Sequence, residues 1–310
     1  MYDPTKPSKN LVLNLIKKTW NSPYLTLTPA TYAIFKRKFN YLEVDHTDGI
    51  GTKGYYHWRE KTFKNAVLDA LAMNLNDLAI VGATPYKLQN HIVLPKDDNK
   101  AVLEIVRALS RECIKRKIVM TGGETSIQDT SLGLDISITV SGFIKKKKPN
   151  RFKAGDILIG LASSGLHSNG LTKVRKLFKE EIRREFVRPT KIYSDLLLPL
   201  FKKYDLHARM HITGGAFTKL KDLLHRTDAI ITNTHKLKPQ SIFYEIYKKG
   251  VGDKEMYKTF NCGIGFVFSV SPKDAPLILK ETKGQVIGMV VGGSGKVKIS
   301  SMFSNQRITF

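Results

Sequence analysis

The segment Asp45-His-Thr-Asp48-Gly-Ile-Gly51-Thr-Lys53 places carboxylates, glycines and a lysine where a predicted strand ends. The glycines at 49 and 51 allow backbone N–H groups to approach an oxyanion, and Lys53 would add a positive charge. Asp48 has the oxygen chemistry that Mg²⁺ prefers. The segment therefore has the outline of a phosphate site, although the D-G-x-G spacing is equally typical of an ordinary turn.

A second cluster lies on a predicted helix that carries Asp69, Asn76 and Asp77. At about 100° per residue, these oxygen-bearing side chains share one side of an otherwise apolar helix, where each needs a polar partner. They would either cap neighbouring strands through hydrogen bonds or bind Mg²⁺ that accompanies a nucleotide. Because Asp48 and Asp77 bring carboxylates from two segments, we favour the cation site.

A glycine pair forms the third cluster, Thr121-Gly-Gly-Glu124-Thr125, after a β-like run. We interpret the pair as a turn in which Gly122 and Gly123 bring the backbone close to a ligand and Glu124 adds a carboxylate for a metal. A glycine turn with a surface glutamate explains the same residues equally well.

Two polar, glycine-rich loops follow in the second half of the chain, at residues 163–170 and 211–215. Each ends a β-like segment and precedes a helical pattern, an arrangement that binds a phosphate monoester through backbone N–H groups and hydroxyls. Each also contains a histidine, His167 or His211, which could act as a general acid or base near neutral pH. A single histidine in a loop is, however, more often a hydrogen-bonding residue.

The elements that would position these clusters are mixed helices and strands without strict βαβ alternation, which predicts an α+β fold. The segment KKKKPNRFKAG at 145–155 combines like charges with Pro and Gly and predicts a connector, so we expect domains at residues 1–148 and 149–310. Periodicity predicts helices at 10–20, 62–81, 100–115, 171–179, 194–204, 217–225 and 241–249, and strands at 32–39, 41–46, 86–94, 134–144, 156–161, 229–233, 263–270, 286–291 and 296–300.

The 310 residues include 51 Lys and Arg against 27 Asp and Glu, a formal net charge of +24. The excess is mostly lysine spread along the chain without interleaved aromatic residues, so we expect no nucleic-acid partner but a field that attracts polyanionic small substrates. The apolar runs are too short for a membrane span. The two cysteines form no ligand-like cluster and residues 1–10 lack the signal-peptide pattern, which indicates a reducing cytoplasm.

Taken in order, seven segments make the chain resemble the aminoimidazole ribonucleotide synthetase (phosphoribosylformylglycinamidine cyclo-ligase) family. This family belongs to a larger ATP-binding superfamily that includes selenophosphate synthetase and thiamine-monophosphate kinase. The segments span most of the chain from residue 47 onward and are TDGIGTK (47–53), DALAMNLNDLAIVGATP (69–85), GGET (122–125), SSGLHSNGLTKVRK (163–176), RPTKIY (188–193), HITGGAF (211–217) and MYKTFNCGIGF (256–266).

The resemblance implies a two-domain ATP-binding synthetase fold in a homodimer, with N-terminal mixed sheets that pair into a barrel and a C-terminal α/β sandwich domain. It implies ATP-dependent closure of the imidazole ring in purine synthesis. ATP phosphorylates the formyl oxygen of formylglycinamidine ribonucleotide, and an amidine nitrogen then attacks that carbon. ATP, Mg²⁺ and a phosphoribosyl substrate are the implied ligands.

The resemblance also implies which residues of this chain would form each site. For catalysis they are Lys53, Asp77, His167 and His211, and for Mg²⁺ they are Asp48, Asp77 and Glu124. For ATP they are Lys17, Asp48, Gly49, Gly51, Thr52, Lys53, Asp69, Asn76, Gly122, Gly123 and Glu124. For the substrate and its 5′-phosphate they are Ser164, Gly165, His167, Ser168, Asn169, Thr213, Gly214, Gly215 and Asn261.

The chain departs from the family pattern in several places. Near the N-terminus, other residues replace an AGVDI segment and a glycine-rich loop, and later Lys219 and Leu220 replace a Glu-Asn pair. The altered N-terminus leaves a second interpretation open. The chain could be a catalytically silent or repurposed nucleotide-binding homologue, which would bind ATP without hydrolysing it when substrate is present.

Overall fold

A computed structural model of the chain describes residues 8–30 and 32–310, which form two compact units divided between Lys146 and Lys147. The expectation drawn from the first ten residues lies mostly outside the described residues. Within the described part of the chain, every helix is too short or too polar to cross a bilayer.

The first unit combines helices with a small antiparallel hairpin and a larger mixed sheet. Its elements are α1 (Ser8–Lys17), a 3-10 turn (Lys18–Trp20), β1 (Leu25–Thr28), β2 (Ile34–Arg37), β3 (Leu42–Gly49), α2 (Lys53–Glu60), α3 (Phe63–Ile80), β4 (Thr84–Leu94), α4 (Asn99–Arg116), β5 (Val119–Ile127) and β6 (Asp135–Ile144). β1 pairs with β2, and the larger sheet has the order β3-β6-β4-β5. Only the β4–β5 pairing in that sheet is parallel.

One face of the larger sheet is apolar because alternate residues of each strand point to the same side. Ile136, Ile138 and Val140 of β6 are fully buried on this face. α3 packs against β3 and β6, whereas α4 packs against β5 and α1 packs against α4. Since α3 is buried along most of its length, it is apolar nearly all round. This packing fixes the polar residues of α3 beside the end of β3.

The second unit is built on one seven-stranded sheet with the order β13-β12-β9-β11-β7-β10-β8, in which only β12 and β9 pair in parallel. β10 is buried at every residue because it lies between β7 and β8 and is covered on both faces. The elements are β7 (Ile157–Ala162), α5 (Leu171–Phe178), α6 (Ser194–Lys203), β8 (Ala208–His211), β9 (Thr227–Ile231), α7 (Ser241–Lys248), α8 (Asp253–Thr259), β10 (Ile264–Val270), α9 (Ala275–Glu281), β11 (Gln285–Gly292), β12 (Val297–Ser300) and β13 (Arg307–Thr309), with 3-10 helices at Arg184–Val187 and Ala216–Leu223.

The mixed helices and strands of both units confirm the predicted α+β class, and most predicted elements lie within a few residues of the observed ones. Two predictions are wrong. Residues 122–125 lie inside β5 rather than in a turn, and residues 216–223 form a 3-10 helix where the periodicity predicts an α-helix. The sequence pattern also fails to predict α2, α8, α9, β1 and β13.

Candidate functional site

The end of β3 and the middle of α3 bring four polar side chains together, here named the His46 cluster: His46, Asp48, Asn74 and Asp77. Strand alternation turns His46 and Asp48 toward α3. His46 Nδ1 lies 2.9 Å from Asn74 Oδ1, and His46 Nε2 lies 3.4 Å from Asp77 Oδ2. Asn74 Nδ2 donates to the backbone carbonyl of Asp48 at 3.1 Å. A single amide therefore links the strand end to the helix.

Two carboxylates set the electrostatics of the His46 cluster. The hydrogen bond with Asp77 raises the pKa of His46 against the effect of partial burial, and Asn74 and the charges of Asp77 and Asp48 add to the rise. The side chains of His46 and Asp77 keep 29% and 18% of their surface exposed. The cluster can therefore be reached from solvent and attracts positive charge.

The donor set of the His46 cluster fits Mg²⁺ that arrives with a nucleotide better than a preformed metal centre. Across residues 8–30 and 32–310, no group of three or more His, Cys, Asp or Glu side chains is arranged to hold a metal ion. Mg²⁺ is commonly bound by one or two protein carboxylates and completes its shell with water and phosphate oxygens. Asp48 and Asp77 provide such a pair, and their role as metal ligands stays a prediction.

A second charged group, named the Lys53 triad, consists of Lys53, His57 and Asp69 and lies in the interior of the first unit. Lys53 Nζ donates to Asp69 Oδ1 at 2.7 Å, and His57 Nε2 lies 2.8 Å from Asp69 Oδ2. The side chains of all three residues are 0% exposed. Thr62 completes the group, since its Oγ1 lies 2.7 Å from His57 Nδ1.

Burial and the other members together determine the pKa of each residue in the Lys53 triad. Burial by itself would raise the pKa of Asp69, but the charge of Lys53 and the contact with His57 hold it well below its usual range. Burial lowers the pKa of Lys53 and of His57. The structure thus pairs Lys53 and Asp69 with each other inside the protein. Both residues lie beneath the loop at residues 48–53 in this structure, and their predicted contact with ATP stays a prediction.

That loop is shaped by close backbone contacts. Asp48 Oδ1 accepts the Gly49 N–H at 2.7 Å, and Gly51 adopts a φ of +52°. A Cβ on Gly54 would lie 1.7 Å from the Leu134 carbonyl oxygen, so the first turn of α2 can sit there only as glycine. Asn76, which the sequence groups with Asp77, is completely buried. Of the predicted ATP-site residues, this region therefore keeps Asp48, Gly49, Gly51 and Thr52 near its surface, together with Asp77 of the predicted metal site.

Glu124 and Lys17 are not brought to the His46 cluster. β3 and β5 are the two edges of the four-stranded sheet. Glu124 of β5 pairs with His91 of β4, and both side chains lie on the sheet face opposite to that of Asp48. The predicted metal trio is therefore split within this chain. Lys17 lies exposed at the end of α1, beside α4 and the β5 edge. The glycine pair Gly122–Gly123 lies on β5 with Glu124.

In the second unit, two buried asparagines connect the polar segments through side-chain hydrogen bonds. Asn169 Nδ2 donates to the Ile212 carbonyl at 3.0 Å, which joins the loops at 163–170 and 211–215. Asn261 Nδ2 donates to the Gly165 carbonyl at 2.8 Å, and Asn261 Oδ1 accepts the Gly263 N–H at 3.0 Å. The structure therefore brings together the three segments that the sequence assigns to the substrate.

Beneath these loops, His167 and His211 pack around Tyr193. The Tyr193 ring centroid lies 6.1 Å from each imidazole, and its hydroxyl donates to the Ala162 carbonyl at 2.8 Å. Ser164 N–H donates to His167 Nε2 at 3.0 Å. Both histidines are almost completely buried. In this structure they support the loops from below, and their predicted part in proton transfer stays a prediction.

The rim above the histidines combines exposed residues, such as Gly214, Gly215 and Arg188, with the buried threonines Thr190 and Thr213. Gly214 and Gly215 are exposed, and Ser168 Oγ lies 3.2 Å from Thr190 Oγ1. Arg188 Nη1 donates to the Ser164 carbonyl at 3.2 Å, and Lys219 Nζ donates to Thr213 Oγ1 at 3.0 Å. Hydroxyls, glycine backbone and cations together form a surface suited to a phosphate ester.

Sequence reasoning missed His46, Asn74, Tyr193, Arg188 and Lys219. The signal for His46 and Asn74 was present, because residues 46 and 48 share a strand face and residues 74 and 77 share a helix face. The other three lie in or beside segments that the sequence analysis names, but their contacts with the loops depend on the fold and not on spacing.

Comparison with known proteins identifies the family. Residues 33–144 match the domain described as AIR synthase related protein, N-terminal domain, and residues 153–300 match its C-terminal domain. The chain belongs to the AIR synthase family. These two matches confirm the two-domain fold that the motifs imply.

Proteins similar to this AIR synthase family member match it over most of both chains. A phosphoribosylformylglycinamidine cyclo-ligase of Saccharolobus solfataricus is 37% identical over 81% of this chain and 79% of its own length. The enzyme of that name from Clostridium botulinum is 31% identical over 94% of this chain and 95% of its own. The hydrogenase maturation protein HypE in complex with ATP superposes with a TM-score of 0.68 at 16% identity, covering 98% of this chain and 94% of that one, which shows a shared fold.

Proposed function

We propose that the chain is a ligase that closes the imidazole ring of formylglycinamidine ribonucleotide in purine biosynthesis, with ATP consumed. The observation that carries this proposal is the 37% identity to a phosphoribosylformylglycinamidine cyclo-ligase over most of both chains. The assembly of the loops at 163–170 and 211–215 by Asn169 and Asn261 supports it, because those loops carry the family motifs.

The first unit is proposed to bind Mg-ATP at the His46 cluster. When bound, Mg-ATP supplies the phosphoryl group that activates the formyl oxygen. Asp48 and Asp77 would hold the cation. His46, whose Nε2 lies 3.4 Å from Asp77 Oδ2, would be the partner that Asp77 exchanges for the cation. The Lys53 triad holds the first turn of α2 in place and so positions the loop that carries Gly49 and Gly51.

The second unit is proposed to bind the ribonucleotide at the rim above His167 and His211. Ser168, Thr213 and the backbone of Gly214 and Gly215 offer hydroxyl and N–H groups to the phosphoribosyl part. His167 and His211 support the two loops. We also propose that they transfer protons during the cyclisation.

A homodimer and a cytoplasmic location belong to the same proposal. The apolar side chains Ile34 and Leu42, on β2 and β3, are 60% and 65% exposed, which supports a further subunit along this edge. The two cysteines are buried and free, as expected in a reducing compartment.

The test is an assay of ADP release from Mg-ATP with and without formylglycinamidine ribonucleotide, while the formation of the aminoimidazole is followed in parallel. ADP and aminoimidazole should rise together, and only when both substrates are present. A cyclo-ligase from a relative serves as the positive control. ATP binding without either product would instead favour the silent nucleotide-binding homologue.

A further inference from the structure

Lys219 is fixed above the glycine loop by two local contacts. It lies on the 3-10 helix Ala216–Leu223, and its Nζ donates to Thr213 Oγ1 at 3.0 Å. Its stem runs over Gly215, where a Cβ would lie 3.3 Å from Lys219 Cγ. Gly215 has a φ of +78°, which favours glycine. The ammonium is therefore held beside the loop rather than extended into solvent.

Lys219 forms no ion pair with the residues that the structure describes. Within the described part of the chain, no carboxylate oxygen lies within 4.0 Å of its Nζ. Three other lysines of the same unit do form ion pairs: Lys173 with Glu255, Lys203 with Glu281 and Lys298 with Asp228. Lys219 meets only a neutral hydroxyl, so its positive charge remains available to an anion.

Open space for an anion lies at Gly214, the residue next to Thr213 in the loop. Gly214 is exposed, and a Cβ added to it would meet no atom within 4 Å. The Thr213 hydroxyl is already oriented toward Lys219 Nζ and can also bond a phosphate oxygen. A flexible ammonium, a hydroxyl and open backbone are the groups that recognise a phosphate monoester.

We propose that Lys219 is a binding residue for the phosphate monoester of the substrate, and that it supplies the charge which the Thr213-Gly214-Gly215 loop itself lacks. The inference rests on the proposed function, because it takes the loop to be the ribonucleotide site.

The experiment compares Lys219→Met with Lys221→Met, a matched control that removes the same charge from an exposed lysine of the same 3-10 helix. We expect kcat/KM for formylglycinamidine ribonucleotide to fall roughly tenfold or more in Lys219→Met, the value of one charge-assisted hydrogen bond. The control should equal the wild type. The KM for ATP should be unchanged in both variants, whereas a rise confined to ATP would overturn the proposal.

A binding measurement without ATP separates this proposal from the proposed function. Ribose 5-phosphate and ribose are titrated into wild type and both variants, with chemical shifts of the protein as the readout. Wild type and Lys221→Met should bind ribose 5-phosphate more tightly than Lys219→Met does, and ribose should not discriminate among the three. This result would support the role of Lys219 even if no cyclisation were detected. Equal binding of ribose 5-phosphate by all three proteins would refute it.

Discussion

Two aspartates of one helix, Asp69 and Asp77, show how the surroundings of a carboxylate decide its use. They stand little more than two turns apart on α3. Asp69 is completely buried and pairs with Lys53 and His57, whereas Asp77 keeps 18% of its side chain exposed and meets His46 at 3.4 Å. The first carboxylate has its charge neutralised inside the protein, and the second faces solvent with a weak partner.

The difference in burial predicts how easily each aspartate can give up its present partner for a cation. A partly exposed ion pair contributes little free energy, so Asp77 can leave His46 for a cation at small cost. A buried charge that loses its partner is strongly destabilising. Asp69 is therefore expected to serve the fold and Asp77 to serve a ligand, although the sequence pattern puts both in one group.

The largest effect is expected from Asp69→Asn. The substitution leaves the Lys53 ammonium buried without a carboxylate, so we expect the free energy of unfolding to fall by about 3–5 kcal/mol. Urea unfolding followed by circular dichroism measures the change. Asp77→Asn is the matched substitution on the same helix and should cost less than about 1 kcal/mol. If the two variants proved equally stable, the contrast between the buried and the exposed carboxylate would be lost.

A second substitution keeps this test informative if Asp69→Asn does not fold. Lys53→Met combined with Asp69→Leu removes both charges and fills similar volume, and buried ion pairs replaced in this way often lose little stability. We expect the double variant to recover part of the loss. A double variant as unstable as the single one would show that shape, and not unpaired charge, limits the site.

The next effect is on turnover. Asp77→Asn removes one of the two proposed Mg²⁺ ligands, so ADP formation should fall by roughly 100-fold or more while the thermal midpoint stays close to wild type. Higher Mg²⁺ concentrations should restore part of the rate. Asp129→Asn, at an exposed aspartate of the same unit, is the control and should keep full activity. Unchanged turnover in Asp77→Asn would remove this residue from the metal site.

Periodicity was sufficient for the long elements but not where backbone pairing overrides local preference. α3 and α4 follow their apolar spacing closely. The glycine pair at 122–123 resembles a turn, yet pairing with β4 continues the strand through it. A Cβ on Gly123 would lie 2.3 Å from Asn90 Oδ1, so glycine here serves a close cross-strand contact. α2 was missed because its buried face includes Lys53 and His57, which hide the apolar pattern.

The sequence predicts which segments form the site but not how deeply each of their residues is buried. The motifs around Asn169 and Asn261 did converge, because each is tied to its neighbours by buried amide hydrogen bonds. Spacing along the chain cannot show that Lys53 is enclosed or that Glu124 lies at the opposite sheet edge from Asp48. Burial and strand order depend on contacts between distant segments, and these decide which members of a motif can meet a ligand.

The smallest effect is the opposite titration of His46 and His57, measured by NMR of labelled histidine side chains without divalent cations. Asp77 raises the pKa of His46, so its stabilising contribution is complete below the unfolded value of about 6.5 and is lost as the pH rises through the folded pKa. Burial lowers the pKa of His57, so below about 6.5 the folded state binds fewer protons than the unfolded state and stability rises with pH. His46 should thus titrate above His57, and Asp77→Asn should lower only the His46 pKa. If His57 titrated above His46, the Lys53 triad would be open to water and the two carboxylates of α3 would not differ in the way their burial implies.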